Sequence, residues 1–455
     1  MKVESPIDGS IVGEVPDCGA EEARKALDCA EAAFASWKRT SAFERSAILR
    51  RWLNLLVEHE AELARLISKE MGKPVTEAIG ELRYSASFVE WYAEEAKRVY
   101  GETVPSQFPN KRLMVLRQPA GIVYGITAWN FPHATTTRKI APALAAGCTF
   151  ILKPAPQTPF SALRLAELWE KAGGPPGTFQ VLPALDPGPV SEPLLEDPRV
   201  RILAFTGSTA VGMKLYARGA STMKRLQLEL GGHAPFLVFA DADLDAAVRE
   251  VVACKFRNGG QTCVCTNRIY VHESIAQRFL EKLVPAVGAL RVGDPLESTT
   301  QIGPLVNRAG LAKVEAHMAD AVAQGARVLL GGKPIHDLYF EPTVVTGVNP
   351  NMRMMREETF GPVAPVVQFR DDTEAVKLAN ATSYGLAAYL WTNDLSRAIR
   401  VSEDLEYGIV GVNDGVPSTA QAPMGGVKNS GLGREGGRWG LDEFLDLKYV
   451  SIKLN

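Results

Sequence analysis

The sequence predicts an α/β protein built from two doubly wound domains. Short apolar, β-rich runs alternate with helical patterns from Gly121 to Gly232, and a second alternating block runs from Phe236 to about Val412. Such alternation favours a largely parallel sheet with helices on both faces. The 455 residues are 46% hydrophobic and 22% charged, which suits a globular protein of more than one domain.

The region before the first sheet is predicted to be mostly helical. Apolar side chains recur at the spacing of one helix face, at Ala23, Ala26, Leu27, Ala30, Ala33 and Phe34. The same character continues over residues 44–71 and 75–100. Prolines then flank Leu113–Leu116, so we expect residues 101–119 to form an extended arm or hairpin.

The first alternating block supplies five predicted strands: Ile122–Thr127, Thr149–Leu152, Phe179–Leu182, Arg201–Phe205 and Leu226–Leu230. Helices are predicted between them at Pro159–Ala172 and Ala210–Ala217, and a helix near the start of the second block carries Leu244, Ala247, Val248, Val251 and Val252. The chain ends in a β-like stretch, Leu447–Leu454. The free edge of such a strand invites pairing with another subunit, so we expect a homodimer or homotetramer.

Charge and cysteine content argue against several classes of function. The formal net charge is -2 with both signs interspersed, so no nucleic-acid or anionic-membrane partner is indicated. The first 30 residues lack a secretory signal, and the longest apolar runs stop short of a membrane span. Six unevenly spaced cysteines do not suggest a disulfide framework. We expect a cytoplasmic protein.

Cys263 is the most informative residue of the chain. It lies in Gly-Gly-Gln-Thr-Cys-Val-Cys265, on a predicted turn after a helical segment, among glycine, amide and hydroxyl neighbours. A structural cysteine normally sits in an apolar run, whereas a thiol on a turn with free backbone N–H groups can gain thiolate character. The pattern therefore indicates a reactive thiol, with a buried packing cysteine as the alternative.

Two strand ends suggest a nucleotide site. The familiar Gly-x-Gly-x-x-Gly is absent, but the strand ending at Phe205 leads into Thr206-Gly-Ser-Thr-Ala-Val-Gly212 before a helix begins. Ser208 could cap that helix or donate to a phosphate. Lys153 follows a second strand at its carboxyl end, where ligands bind in open α/β sheets. A solvated lysine is the alternative there.

Five motifs in order resemble the NAD(P)-dependent aldehyde dehydrogenase superfamily. Besides the Cys263 segment and the Gly-Ser-Thr loop, they are Ala-Trp-Asn-Phe-Pro132, Leu-Glu-Leu-Gly-Gly232 and Met-Arg-Glu-Glu-Thr-Phe-Gly-Pro362. The resemblance covers essentially the whole chain. It implies a Rossmann-like NAD(P)-binding domain (1–100 and 120–231), a catalytic domain (232–430) and a β oligomerisation arm (101–119 and 445–455).

The same resemblance implies the catalytic roles. Cys263 would attack an aldehyde to give a thiohemiacetal, which yields hydride to the nicotinamide and leaves a thioester. Asn130 would stabilise the oxyanion together with the Cys263 N–H, and Glu229 would activate water to hydrolyse the thioester. Glu229 favours a free acid product, since members that pass the acyl group to coenzyme A generally lack it. Lys139 and Glu435 match a proton relay.

The cofactor residues implied are Trp129, Lys153, Pro156, Gly207, Ser208, Gly212, Leu230, Glu358 and Phe360. Lys153 would contact the adenine ribose, Ser208 the pyrophosphate, and Glu358 and Phe360 the nicotinamide riboside. Pro156 departs from the glutamate that many NAD-specific members carry three residues after the lysine. Without that carboxylate a 2′-phosphate meets no repulsion, so we expect NADP or NAD, with NADP preferred.

Within the superfamily the Cys263 segment looks most like the succinate-semialdehyde dehydrogenases. Arg138 and Arg257 match their carboxylate-binding arginines, and Ser418 matches the serine partner. Pro417, Thr419 and Gln421 depart from typical members, so glutarate semialdehyde or another ω-carboxylated aldehyde is an alternative substrate. An enzyme of the same fold for uncharged aliphatic or aromatic aldehydes is a further alternative. Cys265 resembles the partner of a regulatory disulfide with Cys263.

Other functions compete for the same residues. A cysteine hydrolase would need a histidine base near Cys263, and the six histidines carry no companion motif. A Cys-x-Cys metal site lacks further ligands nearby, so we expect no metal. A catalytically silent binding protein is disfavoured by the presence of Cys263, Glu229 and Asn130 together.

Overall fold

The computed structural model describes residues 1–455. The N-terminal part contains the strands β1 (Lys2–Glu4) and β2 (Ile11–Glu14) and the helices α1 (Ala20–Trp37), α2 (Ala42–Glu58), α3 (Glu60–Met71) and α4 (Val75–Glu95). Then follow β3 (Glu102–Val104), β4 (Lys111–Pro119), β5 (Ile122–Ile126), α5 (Ala134–Ala146), β6 (Thr149–Lys153), α6 (Pro159–Lys171), β7 (Phe179–Val181), α7 (Pro187–Glu196), β8 (Val200–Thr206), α8 (Thr209–Gly219) and β9 (Arg225–Glu229).

The second half continues the alternation. It contains β10 (Ala234–Val238), α9 (Leu244–Phe256), β11 (Thr266–His272), α10 (Ala276–Gly288), α11 (Arg308–Ala323), β12 (Arg327–Leu330), β13 (Pro334–His336), β14 (Tyr339–Phe340), β15 (Thr343–Thr346), β16 (Val363–Phe369), α12 (Asp372–Asn380), β17 (Ala387–Trp391), α13 (Leu395–Asp404), β18 (Ile409–Val412), β19 (Gly431–Leu432), α14 (Gly437–Asp442) and β20 (Leu445–Lys453).

Two mainly parallel sheets organise the molecule. The first has six strands in the order β19-β9-β8-β5-β6-β7, and only β19 is antiparallel to its neighbour. The second has seven strands in the order β12-β15-β16-β11-β10-β17-β18, with β12 alone antiparallel. The predicted α/β class with two parallel sheets is confirmed.

Both sheets are covered on both faces because successive side chains of a strand point to opposite sides. In β5, Val123 packs with helices α2 to α6, whereas Ile122 and Tyr124 pack with α1 and α7. In β10, Phe236 and Leu237 divide in the same way between two other apolar clusters. This double burial explains why the strands read as continuous apolar runs.

A third sheet stands apart from these two. Strand β4 lies between β3 and β20, and both of these run antiparallel to it. All nine residues of β20 pair with β4, from Leu445 opposite Pro119 to Lys453 opposite Lys111. Residues 101–119 therefore form the extended structure that was predicted, completed by the C-terminal strand.

Local differences from the sequence-based expectations have simple causes. The helical stretch 44–71 is two helices, because the backbone at His59 leaves helical geometry (φ -96°, ψ 12°). Helix α4 ends at Glu95, and a short 3₁₀ turn, Ala96–Arg98, follows before the arm. The hairpin of β1 and β2 was not predicted. No helix combines the length and the apolar character needed to cross a membrane.

Candidate active site

Cys263 lies on a turn whose backbone is unusual. Helix α9 ends at Phe256, and Asn258, Gly259 and Gly260 then adopt left-handed φ angles of 53°, 61° and 76°. A Cβ at Gly260 would lie 2.2 Å from the carbonyl oxygen of Gly361. A larger residue would therefore clash there, and it would also be strained by the left-handed φ angle. The Cys263 N–H donates no hydrogen bond within the protein. The predicted glycine-rich turn thus presents a thiol beside a free amide.

Two cavities meet at this turn. The arginine cavity, about 280 Å³, is lined by Arg138, Arg257 and Ser418 among others. The sheet-edge cavity, about 350 Å³, lies at the carboxyl ends of β8 and β9, as expected for a ligand site in an open α/β sheet. Only Asn130 and Cys263 line both cavities.

Asn130 is fixed in the loop between β5 and α5. Its Nδ2 donates to the carbonyl oxygen of Gln261 at 3.1 Å, which leaves one N–H of the amide unassigned. Its own carbonyl oxygen accepts from Lys73 Nζ at 2.7 Å and from Asn258 Nδ2 at 3.2 Å. Asn130 is therefore held directly against the loop that carries Cys263.

Glu229 is the carboxylate next to the thiol. It ends strand β9, is 2% exposed, and neither of its carboxylate oxygens accepts a hydrogen bond in the protein. Burial raises its pKa, and the nearby Arg138 offsets only part of this rise. Burial and the adjacent Glu229 likewise raise the pKa of the Cys263 thiol well above its ordinary value. The surroundings thus disfavour the charged form of both groups.

Arg138, Lys139 and Glu435 form a buried network beside Glu229. Lys139 Nζ donates to Glu435 and to Thr206 Oγ1, and Arg138 Nε lies 2.9 Å from Glu435 Oε2. Burial raises the pKa of Glu435, but the two cations outweigh it and hold this pKa below its ordinary value. Burial lowers the pKa of Lys139, which Glu435 partly offsets. This arrangement places a carboxylate and two cations next to Glu229.

The two predicted carboxylate-binding arginines differ in their surroundings. Arg138 is enclosed by acids, because its Nη2 also lies 4.0 Å from Glu229. Arg257 has no carboxylate in contact; its guanidinium lies 5.5 Å from the centre of the Phe131 ring, and its buried Nε has no partner. Ser418 lines the same cavity. Arg257 is accordingly the cation available to an anionic ligand.

The sheet-edge cavity has the features of a dinucleotide site. Trp129 and Phe360 lie edge to face across it with ring centres 5.6 Å apart, and Phe360 holds a left-handed φ of 58°. Glu358 accepts from the Gly232 N–H at 3.0 Å, and burial raises its pKa to about 7. Ser208 caps helix α8, as the alternative interpretation had it, and its loop still borders the cavity.

Close packing shapes the phosphate-side loop. A Cβ at Gly212 would lie 2.3 Å from Leu230 Cδ2, so glycine lets helix α8 approach the end of β9. Gly207, Ser208 and Leu230 line the sheet-edge cavity. Together with the aromatic pair and the carboxylate of Glu358, they fit a nicotinamide dinucleotide, whose ribose needs a hydrogen-bond acceptor.

Lys153 and Pro156 lie outside the lining of this cavity. Lys153 ends β6, opposite Ile126 of β5, and is 4% exposed; burial lowers its pKa to about 8. Pro156 is half-buried in the loop that follows. Both residues are at the carboxyl edge of the first sheet, but the structure brings neither into contact with Cys263.

Cys265 is a free, fully buried thiol, and Cys263 is free as well. The Cys265 Sγ lies 3.5 Å from Lys255 Nζ and can donate to the carbonyl oxygen of Gly260. Burial raises the pKa of Cys265, and Lys255 offsets part of the rise. The disulfide with Cys263 stays a prediction.

Several residues at the site were missed by sequence reasoning. Lys73, in the loop before helix α4, reaches Asn130, and Glu77 and Glu81 reach the arginine cavity from the start of that helix. Asn258 contacts Asn130, and Lys313 on helix α11 lines the sheet-edge cavity. Two charged side chains one helical turn apart, Glu77 and Glu81, on a largely apolar face were the available signal for the first group.

The comparisons with known proteins agree on one protein family. The profile of the Aldehyde dehydrogenase family matches residues 1–450. The chain is 52% identical over 457 residues to the NADP(+) succinate-semialdehyde dehydrogenase GabD of Escherichia coli strain K12, covering 100% of this chain and 94% of that protein. It is 50% identical over 454 residues to glutarate-semialdehyde dehydrogenase of Pseudomonas aeruginosa, covering 99% and 94%.

The solved structures agree. The crystal structure of succinate-semialdehyde dehydrogenase from Burkholderia pseudomallei superposes with a TM-score of 0.98 at 51% identity, covering 100% of this chain and 94% of that one. This chain belongs to the aldehyde dehydrogenase family. It has the aldehyde dehydrogenase fold and is an NAD(P)-dependent aldehyde dehydrogenase.

Proposed function

We propose that this enzyme oxidises a short aldehyde that carries a second carboxylate, with succinate semialdehyde as the preferred substrate and succinate as the product. The observation that carries this proposal is Arg257. Its guanidinium lines the cavity that adjoins Cys263, with a buried Nε that has no partner. An unpaired buried donor on a permanent cation selects an anion, because only an anionic acceptor compensates its desolvation.

The chemistry assigned to the chain follows from the positions of three groups. Cys263 Sγ adds to the aldehyde carbon, and the oxygen that becomes negative accepts from the free amide N–H groups of Asn130 and Cys263. Bound NAD(P) supplies the hydride acceptor. Glu229 then takes a proton from water as it attacks the thioester, which releases the acid and the Cys263 thiolate. Lys139 and Glu435, an ion pair beside Glu229, would pass that proton on.

NADP is proposed as the preferred cofactor, with NAD also used. Lys153 provides a cation at the end of β6, and Pro156 offers no carboxylate to repel a 2′-phosphate. The similarity to an NADP(+) enzyme supports the same choice. Trp129, Gly207, Ser208, Gly212, Leu230, Glu358 and Phe360 would hold the dinucleotide.

The test is a kinetic panel on the Arg257→Leu variant. We expect kcat/KM for succinate semialdehyde to fall about 10- to 100-fold, which is the usual worth of a charge-assisted hydrogen bond. The value for propanal should stay within about twofold of the wild type, because propanal has no charge to bind. Each aldehyde is measured with NADP and with NAD.

Arg278→Leu is the matched control, since Arg278 is exposed on helix α10. An equal loss on both aldehydes in Arg257→Leu would mean that Arg257 supports the fold and does not recognise a carboxylate. Arg138→Leu should impair every aldehyde, because removing it leaves Glu229 and Glu435 without their shared cation.

Glutarate semialdehyde is the second candidate substrate, supported by the 50% identity to a glutarate-semialdehyde dehydrogenase. It differs by one methylene, and a hydrophobic pocket discriminates such a change by only about 10- to 200-fold. The ratio of the two kcat/KM values in the same panel decides between them.

Assembly and location are part of the proposal. The arm strand β20 exposes Leu447 and Tyr449, apolar side chains that a second subunit could cover in a homodimer or homotetramer. All six cysteines are free thiols, which suits the reducing cytoplasm.

A further inference from the structure

We propose that Lys73, held by Glu81, is a positioning residue that fixes the backbone at Asn130 and thereby aims the Asn130 amide at the aldehyde oxygen. The inference rests on the proposed function, since it needs Asn130 to act as an oxyanion donor. It concerns one residue in the loop before helix α4 and one on that helix, both far in sequence from Cys263, that no chemical step uses.

The ammonium group of Lys73 is fully enclosed. Its side chain is 0% exposed, and its Nζ donates to the Asn130 carbonyl oxygen at 2.7 Å and to Glu81 Oε2. The same Nζ lies 3.7 Å from the centre of the Phe131 ring. Three N–H groups thus meet an amide oxygen, a carboxylate and an aromatic face. None is left for a ligand, so the action of Lys73 is on the protein itself.

Glu81 extends this anchor to the start of helix α5. Its Oε1 accepts from the backbone N–H groups of His133 at 2.9 Å and Ala134 at 3.2 Å. His133, the residue before the helix, makes no side-chain cap of its own. A carboxylate from another helix therefore caps α5, where the helix dipole favours negative charge. The loop from Asn130 to Ala134 is therefore held by hydrogen bonds at both ends.

Further hydrogen bonds connect Asn130 to the turn that carries Cys263. Asn258 Nδ2 donates both to the Asn130 carbonyl oxygen and to the Gln261 carbonyl oxygen, each at 3.2 Å. The Asn130 side chain donates to the same Gln261 oxygen. If Lys73 released the Asn130 carbonyl, the peptide could rotate and the free N–H of the amide would turn away from Cys263. Such displacements of about 1 Å cost up to about 100-fold in rate.

Stability alone does not explain the pair. The attraction within a buried ion pair often fails to offset the free-energy cost of desolvating its two charges. Replacing both partners by apolar side chains is therefore often neutral or stabilising. The pair is nonetheless placed with all its polar contacts on the segment that carries Asn130. Positioning accounts for that placement, whereas a packing role would be served by two apolar residues.

The experiment measures kcat in a double-mutant cycle of Lys73→Met and Asn130→Ala on propanal with NADP. We expect Asn130→Ala to lower kcat about 100-fold, as loss of one oxyanion donor does. Lys73→Met should lower kcat about 10- to 100-fold with KM changed less than about threefold. In the Asn130→Ala background Lys73→Met should then cost less than about twofold.

Two further variants keep the test decisive. Lys69→Met removes an exposed lysine of helix α3 and should leave kcat unchanged. The variant Lys73→Met/Glu81→Leu leaves no unpaired buried charge, so it is the second background for the cycle where Lys73→Met alone does not fold, and it should show the same coupling to Asn130→Ala. Equal alkylation rates of Cys263 in all variants would locate the loss in Asn130 and not in the thiol.

The possible results distinguish a failure of the oxyanion role of Asn130 from a failure of the positioning role of Lys73. If Asn130→Ala retains full kcat, the oxyanion role of Asn130 fails and the inference fails with it. If Asn130→Ala loses activity but the losses from Lys73→Met add to it in full, or Lys73→Met retains full kcat, only the positioning role is overturned. Loss in Lys73→Met that vanishes in the Asn130→Ala background supports it.

Discussion

The thiol of Cys263 lies in surroundings that oppose its ionisation. Burial and Glu229 both raise its pKa, and the cation that opposes this rise, Arg138, also lies against Glu435. The protein alone therefore disfavours the thiolate form of Cys263 at neutral pH.

Alkylation of Cys263 by iodoacetamide, without cofactor, should therefore rise about tenfold per pH unit from pH 7 to pH 9. The reason is that the thiolate fraction grows in proportion to hydroxide below the pKa, and this pKa lies well above the ordinary value. Peptide mass spectrometry measures the rate at this position.

The exposed Cys29 serves as an internal control in the same digest, and Cys263→Ser confirms the peptide. A plateau in the Cys263 rate below pH 8 would contradict the prediction, because it would mean that the thiol is already largely ionised there.

Residues of the site differ in how far sequence reasoning could find them. Cys263, Asn130 and Glu229 sit in short motifs, so their neighbourhood in sequence already indicates a role. Lys73 and Glu81 carry no such mark: Lys73 lies in the short loop before α4 and Glu81 in a helical pattern, and only the folded structure brings them to the segment that carries Asn130. Their role depends on contacts between distant segments, which a local pattern does not encode.

At the level of elements, some helices are capped by side chains from other helices, and these caps link distant parts of the chain. Glu70 at the end of α3 is fully buried and accepts from the N–H groups of Phe160 and Ser161 at 2.7 and 2.9 Å, and from Ser161 Oγ at 2.5 Å. Helix α6 begins at Pro159, and Thr158 before it makes no side-chain cap. Glu70 thus replaces a local cap.

Glu70→Ala should destabilise the start of α6 by about 2–3 kcal/mol, since it removes a cap and leaves buried donors unpaired. Hydrogen–deuterium exchange should show the first amides of α6 exchanging about 10- to 100-fold faster. Glu58→Ala, at an exposed position that ends α2, is the control and should change nothing. Unchanged exchange in Glu70→Ala would refute the capping role.

Elements were predictable where burial is two-sided. Strands such as β5, β6 and β8 read as apolar runs because both of their faces are covered. Strand β19 could not be found this way: Gly431 and Leu432 stand in a glycine-rich stretch, and their pairing with Glu229 and Leu228 joins residues some 200 positions apart. Nothing local marks a two-residue strand of that kind.

On the scale of the whole molecule, the C-terminal segment connects the three sheets. Ser430 Oγ donates to the Gly231 carbonyl and accepts from the Gly385 N–H, so it bridges the first and second sheets. Arg225 of β9 donates to the carbonyl oxygens of Glu443 and Leu445, just before β20 joins β4. The domain boundaries that we predicted from sequence stay a prediction.

The arm gives a prediction about assembly. Leu447 and Tyr449 of β20 are 69% and 63% exposed, which is unusual for apolar residues on a paired strand. The variant Leu447→Glu/Tyr449→Lys should shift the mass measured by light scattering from a multiple of the 49.3 kDa chain towards that of one chain. Charged side chains cannot be covered by a second apolar surface without a large desolvation cost.

Leu395→Glu, at an exposed apolar position on α13 away from the arm, is the matched control and should leave the mass unchanged. An unaltered mass in the arm variant would exclude this face as the subunit contact.

The junction of the two cavities has a consequence for inhibitor design. The arginine cavity and the sheet-edge cavity share only Asn130 and Cys263 as walls. A small electrophile attached to the sulfur would sit where the two cavities meet and would narrow both of them at once. A compound confined to the arginine cavity would instead leave the sheet-edge cavity open.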